Sequence, residues 1–321
     1  MKHLVFFGIT ILTLGLLGCS NNASNQSAQN STSSITPEES SISITDFSDR
    51  TITFDNGPKN IIALGNGEVD IIYALGGEVV GRPTTNGPAL LKEVDNIAEV
   101  GSAHGIDLEK ITSLRPDVVL GNHPMNLKDI PSIESIGAQM VLTSANSIDD
   151  VKMQIQLFGD ILNKEEKSRE IVDLIDEKVT TIASNRQGKK NRVLLVYGAP
   201  GSNMAALPNS LSGNILELAG GVNIASDYPK LDNYPQYAQL NAERIIESNP
   251  HMILFMGHGN PEVVKENFLK EMKQNAGWSK LDAVKNERFE ILPPDLFGTN
   301  PGTRVIEALD YLNELFQEME S

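Results

Sequence analysis

The chain has 321 residues, 40% of them apolar and 21% charged, an ordinary globular composition with room for about two domains. Asp and Glu number 42 against 26 Lys and Arg, and this formal charge of −16 excludes nucleic acid as a partner, since cationic phosphate contacts dominate such binding. A single cysteine excludes an internal disulfide framework and a four-cysteine zinc site, and five histidines leave little for a multi-histidine metal cage.

Lys2 precedes an apolar run from Leu4 to Leu17. As a helix that run would span about 21 Å, short of a hydrocarbon core of about 30 Å, so it reads as a secretory signal and not as a membrane span. Leu16, Leu17, Gly18 and Cys19 end it and resemble a bacterial lipobox. That resemblance implies cleavage after residue 18 and lipidation of Cys19 (diacylglyceryl, palmitate), which would anchor an acidic protein that surface charge alone would not draw to an anionic membrane. Residues 19–41 are dominated by Ser, Asn, Gln, Ala and Thr and read as a disordered tether.

The folded part begins with alternation from Ser43 to Phe54 around Asp49, which predicts a hairpin. A strand over Asn60–Leu64 turns at Gly65, Asn66 and Gly67 into a helix over Glu68–Leu75, followed by a strand at Val79–Val80. Next come a helix over Leu108–Leu114, a strand over Asp117–Leu120, a helix over Ile130–Ile136 and a strand over Gln139–Leu142. From Val151 to about Arg186 the pattern is helical, with Asn163 and Glu166 spaced as a capping box that restarts a long helix. The alternation then resumes: strand Arg192–Tyr197, helix Ser212–Leu218, helix Ala242–Glu247, strand Met252–Met256, helix Glu262–Gln274, strand Phe289–Leu292 and helix Thr303–Phe316. Strands alternating with helices predict an α/β fold. An internal echo, helix–Arg115–Pro116–strand–His123 against helix–Asn249–Pro250–strand–His258, suggests two similar lobes. The expected division is an N-terminal lobe over 42–163, a connecting helix over 164–188 and a C-terminal lobe over 189–321.

The segments "NIIALGNGEVDIIYALGGEVVGRP", "EVGSAHGIDLEKITSLRPDVVLG", "ILELAGGVNI", "NAERIIESNPHMILF" and "WSKLDAVKNERFEILP", in this order after a lipobox, resemble the helical-backbone class of ABC-transporter substrate-binding proteins. Members bind siderophores, haem or corrinoids. The resemblance implies two Rossmann-like lobes joined by one long helix, a ligand cleft between them, little hinge motion and no catalysis. "VLLVYGAPGSNMAA" and "MGHGNPEVVKENFLKEMKQNAGWSKLDAVKN" are most similar to haem-receptor lipoproteins of Gram-positive bacteria. In those receptors a His-Gly after a second-lobe strand ligates iron, which points to His258. A first-lobe methionine after a Glu-x-Gly segment is the other ligand, and here Glu99, Val100 and Gly101 are followed instead by His104, so that either two histidines ligate the iron or His104 is a spectator and iron has one protein ligand.

The resemblance therefore implies a membrane-anchored, extracytoplasmic receptor, acting as a monomer, that delivers haem to an ABC permease with a cytoplasmic ATPase. Imidazole suits this role, because neutral nitrogen is a good axial ligand for haem iron. His123, with Met125, is the other first-lobe candidate, and His251, after Pro250, reads as structural. Gly65, Asn66 and Gly67 could offer backbone N–H groups to the propionates and Arg82 a guanidinium, while Tyr197 and Met204 could line the ring. Glu109 and Glu217 are the expected contacts to permease arginines. A ferric siderophore is the alternative ligand and a corrinoid a lesser one; the chain has no Gly-x-Ser-x-Gly elbow or Walker loop to make it a hydrolase.

Overall fold

The computed structural model describes residues 41–85, 89–185, 191–199, 202–257, 261–274 and 277–319. The expected hairpin is present, with β1 (Ile42–Thr45) antiparallel to β2 (Thr51–Phe54) and Asp49 in the left-handed region at φ 59°. Asp46 organises the turn: it accepts from the Ser48 and Arg50 backbone N–H groups and pairs with the Arg50 guanidinium at 2.7 Å.

Five parallel strands then form the first sheet: β3 (Ile61–Ala63), β4 (Gly81–Arg82), β5 (Ala98–Glu99), β8 (Val118–Asn122) and β9 (Gln139–Thr143). Between them run α1 (Asn66–Ala74), the small hairpin β6 (Gly101–Ser102) and β7 (Gly105–Ile106), α2 (Leu108–Leu114) and α3 (Ile130–Ser135). The strand order is β5-β4-β3-β8-β9, which reverses between β3 and β8 as in a doubly wound sheet. Its central strand β3 and the Val118–Leu120 stretch of β8 are apolar and buried, as expected where both faces are covered.

Two packed helices follow, α4 (Ile148–Leu162) and α5 (Glu165–Asn185). Asn163 is not the N-cap of a capping box, as the spacing had predicted. It ends α4 in the left-handed conformation, with Lys164 N–H donating to the Gly159 carbonyl at 2.7 Å. Short polar side chains tolerate that backbone, so Asn serves as a C-cap. A Cβ on Gly159 would collide with Ser168, so the bare glycine is what lets α5 fold back on α4.

The second sheet is mixed. Its parallel strands are β10 (Asn191–Ala199), β12 (Gly221–Asn223), β14 (Met252–Gly257) and β15 (Phe289–Ile291). An antiparallel ribbon of β11 (Ser202–Ala206) and β13 (Tyr237–Gln239) extends it beside β10. The helices are α6 (Leu211–Leu218), α7 (Ala242–Ser248), α8 (Pro261–Gln274), α9 (Asp282–Lys285), α10 (Pro294–Phe297) and the closing α11 (Val305–Glu318). Among the described residues no helix is long and apolar enough to cross a membrane.

One hydrophobic core serves both sheets, running from Ile71 and Val118 through Phe158 and Ile175 to Leu254, Leu309 and Phe316. Each sheet also has a separate cluster, around Ile62 and Met140 in the first and around Phe255, Phe268 and Trp278 in the second. Polar bonds cross between the halves. Asp70 on α1 accepts from the Thr303 N–H at 2.6 Å and from its hydroxyl at 2.7 Å. Gly302, at φ +65°, passes so close to Asp70 that a Cβ would strike the carboxyl. Asn214 accepts from Ile148 N–H, and Lys178 pairs with Asp310. Separating the halves would expose shared apolar surface and buried polar groups together.

Candidate functional site

Open α/β sheets bind ligands beyond the carboxyl ends of the strands where strand order reverses. In the first sheet that point lies between β3 and β8, and in the second between β10 and β14. The residues emerging there are Leu64–Gly67 and His123 on one side, Tyr197–Gly198 and Gly257 on the other. His258 follows Gly257 directly but lies outside the described residues, as does Cys19. Loops from both sheets meet nearby: Gln236 donates to Asn146 at 3.2 Å, and Asn300 donates to Gln154 at 3.0 Å while packing on Gly67.

On the first sheet, His104 is exposed at the tip of the β6–β7 hairpin. The base of that hairpin is tied to Thr84, whose N–H donates to the Gly101 carbonyl at 2.8 Å. His123 is half-buried, its N–H bonded to the Thr143 carbonyl at 2.7 Å, and the bond to Pro124 is cis. Met125, 37% exposed, lies on the same loop. The structure thus places both first-lobe candidates on loops at one sheet edge. His251 is at the other end of β14, where its Nδ1 accepts from Arg192 N–H and its N–H donates to the Arg192 carbonyl.

The turn into α1 is more enclosed than its glycines suggested. Asn300 covers Gly67, and the Glu68 carboxyl occupies the space where a Gly65 side chain would be. Glu68 is buried, and burial raises its pKa against the Thr143 hydroxyl, which donates to it at 2.8 Å. Gly65 and Asn66 remain half-buried. Arg82 departs further from expectation. Its guanidinium donates to the Val94 carbonyl at 2.8 Å and the Pro83 carbonyl at 3.2 Å and pairs with Glu99 at 3.0 Å, and the side chain is only 9% exposed. β4 lies inside the sheet beside β5, so the side chain is held within its own lobe and is not presented to a ligand.

On the second sheet, Tyr197 and Met204 face each other across the β10–β11 pair, both half-buried. Tyr237 on β13 joins them, its ring centroid 5.0 Å from that of Tyr197. Burial, with Tyr197 beside it, pushes the Tyr237 hydroxyl up to about 12. Tyr237 was not singled out from the sequence because the three-residue strand carrying it has no readable periodicity.

The two glutamates occupy different edges. Glu109 is exposed in the first turn of α2, just beyond the β6–β7 hairpin and so at the carboxyl edge. Glu217 closes α6, four residues before Gly221, which pairs with Asn191 at the amino end of β10. The counterpart of Glu109 is Glu243. Both stand second in seven-residue helices whose N-cap, Asp107 or Asn241, accepts from the N–H three residues on, and both are exposed. Glu243 follows Gln239, whose partner Met204 pairs with Tyr197 toward the carboxyl end of β10. The signal was present in the sequence echo, which aligns "DLEKI" with "NAERI".

Comparison with known proteins agrees with this geometry. Residues 61–296 match the periplasmic binding protein family, a span that contains both sheets. The high-affinity haem uptake system protein IsdE of Staphylococcus aureus (strain Newman) is 29% identical over 241 residues, 74% of this chain and 80% of that protein. The crystal structure of IsdE complexed with haem superposes with a TM-score of 0.69 at 27% identity, covering 80% of this chain and 98% of that one. An ABC transporter substrate-binding protein from Listeria monocytogenes EGD-e gives 0.69 at 29% identity, covering 80% and 97%. Staphylococcus aureus SirA complexed with staphyloferrin B gives 0.70 at 20% identity, covering 87% and 98%, which speaks to the fold alone. With two α/β sheets on a shared core, a strand-order reversal in each and a family match over most of its length, the chain belongs to the periplasmic binding protein family.

Proposed function

We propose that this protein is a haem receptor of an ABC importer, held by a lipidated Cys19 at the extracytoplasmic face of the cell membrane. Iron would sit between His104 from the first sheet edge and His258, next to the end of β14. The observation that carries this reading is the pairing of an exposed imidazole on the first carboxyl edge with a His-Gly immediately after the switch strand of the second. The likeness to IsdE supports the same ligand class. Tyr197, Met204 and Tyr237 offer an apolar and aromatic wall for the macrocycle. Gly65 and Asn66 would approach the propionates, while Arg82 steadies the loop between β4 and β5. No step is catalytic, since the receptor only binds, docks and releases. Glu109 and Glu243 would meet basic groups of the permease, and Glu217 is left out of that contact.

Haemin titration of the mature domain, followed by visible absorption, tests the reading. The expected result is a saturable one-to-one Soret shift with a six-coordinate low-spin spectrum, lost or converted to five-coordinate in His104→Ala and in His258→Ala. Wild-type binding and spectrum in His258→Ala would overturn the iron site. No saturable shift in the wild type would redirect the search to ferric siderophores.

A further inference from the structure

The hairpin carrying His104 is too short to hold itself. Its strands are two residues each, and isolated two-stranded ribbons are marginal even when longer. Something must fix the tip if His104 is to meet iron at a set distance. Across from the tip, in the loop after β8, stands Asn126, which is 0% exposed. Its Oδ1 accepts from Asn122 N–H at 2.8 Å, and its Nδ2 donates to Asp129 at 2.8 Å and to the Ala103 carbonyl at 3.3 Å. Ala103 is the residue before His104. The Asn126 side chain lies directly over Gly121, where a Cβ would stand 3.0 Å from Oδ1 and 3.2 Å from the Asn126 Cβ. A buried amide with three partners and a glycine beneath it has one orientation available. Its neighbours Met125 and Leu127, on the loop that carries His123, are 37% and 40% exposed.

We infer that Asn126 is the positioning residue that fixes His104 as the first-lobe iron ligand, by bonding its hairpin to the loop that carries His123. The inference rests on the haem reading and adds a residue that touches neither iron nor ring. Without the Ala103 bond the hairpin tip is free to move, so His104 ligates only part of the time and His123 or water competes for the position. Binding stoichiometry is kept while coordination becomes mixed.

The test compares wild type, His104→Ala, Asn126→Ala and the double variant Asn126→Asp/Asp129→Asn. The double variant retains an acceptor for Asn122 N–H and restores the 126–129 bond with reversed polarity. It replaces the Ala103 carbonyl's donor with a carboxylate oxygen, so the hairpin tie is broken while the 126–129 tie is kept. The expected result is loss of part of the six-coordinate low-spin signature and faster haem release in both Asn126 variants, with thermal midpoints of the haem-free proteins recorded to show that each variant is folded. A wild-type spectrum and release rate in the double variant would overturn the role of Asn126 while leaving the haem reading intact. A wild type with no Soret shift, or a His104→Ala spectrum identical to wild type, would overturn the haem or His104 assignment itself, and the inference with it.

Discussion

In the first sheet, α2 leads through Arg115, Pro116 and Asp117 into β8; in the second, α7 leads through Asn249, Pro250 and His251 into β14. The backbone plan is the same at every step. Arg115 and Asn249 both close their helices in the left-handed region, at φ 50° and 40°. Asp117 N–H donates to the Asn60 carbonyl at 2.9 Å, and His251 N–H to the Arg192 carbonyl at 2.8 Å. The Asp117 carboxylate caps Asn60 N–H as His251 Nδ1 caps Arg192 N–H. Asn60 Nδ2 reaches the Arg115 carbonyl, and the Arg192 guanidinium reaches Asn249. Four side chains of different chemistry thus satisfy one set of backbone groups, because the geometry of a helix entering a parallel strand leaves the same donors and acceptors over. Beyond the strands the plan diverges. β8 runs into a cis proline and the loop held by Asn126, whereas β14 ends at Gly257 before His258. His123 stands eight residues after Arg115 and His258 nine after Asn249, so the two histidines are not positional equivalents.

The strongest break in this comparison would come from the matched glutamates. Glu109→Ala and Glu243→Ala are each expected to cut haem uptake by cells severalfold while leaving haem binding by the purified receptor unchanged. Glu217→Ala is expected to change neither. Equal uptake defects in Glu217→Ala and Glu243→Ala would deny the equivalence drawn from α2 and α7.

Next in size are the ties at the helix ends. Arg192→Ala removes three hydrogen bonds, two of them to the Asn249 carbonyl and one to that of Ser248, and should cost about 2 kcal/mol. Asn60→Ala removes one exposed bond and should cost about 1 kcal/mol or less. Denaturant titration of both variants measures the difference, and a reversed order would contradict it.

The halves also differ in buried charge. Among the described residues, the buried acids Asp46, Glu68 and Asp70 all belong to the first half. Burial raises the Glu68 pKa, so the folded chain binds that proton more tightly than the unfolded one. Stability therefore falls as pH rises from the ordinary value of 4.5 through the raised folded value. Glu68→Gln, which can still accept from Thr143, should flatten that slope and raise stability at neutral pH. Thermal midpoints from pH 4 to 8 would show it, and a parallel pH profile in wild type and variant would exclude Glu68 as the source.

The smallest effects sharpen the comparison most. Arg115→Gly relieves an exposed left-handed residue and should stabilise by roughly 0.5 kcal/mol. Asn249→Gly relieves the same conformation but loses both bonds to Asp282, at 2.8 and 2.9 Å, so it should destabilise by about 1 kcal/mol. Melting curves of like sign for the two would show that the caps are interchangeable after all.

Much of the fold was legible in the sequence. Apolar runs such as Val118–Leu120 and Met252–Met256 are central strands because continuous hydrophobicity with proline punctuation admits little else. The α2 and α7 boundaries were read nearly to the residue, since an N-cap, seven residues and a following proline are local signals. Short elements were missed: β6 and β7, β12, and β13 with Tyr237 have too few residues for a period to register. Asn163 was misread because an Asn followed by Glu fits the start of one helix as well as the end of another, and only the backbone dihedral separates them.

The sequence by itself determined the class of fold, the alternation of strands and helices, the echo between halves and the supply of imidazoles, because each depends on neighbours along the chain. Tertiary structure alone decided what each side chain is free to do. It committed Arg82 to Val94 and Glu99, covered Gly67 with Asn300 and set Asn126 against the His104 hairpin. Those outcomes depend on groups brought together from distant positions, where burial makes an unpaired polar group costly and a satisfied one immobile.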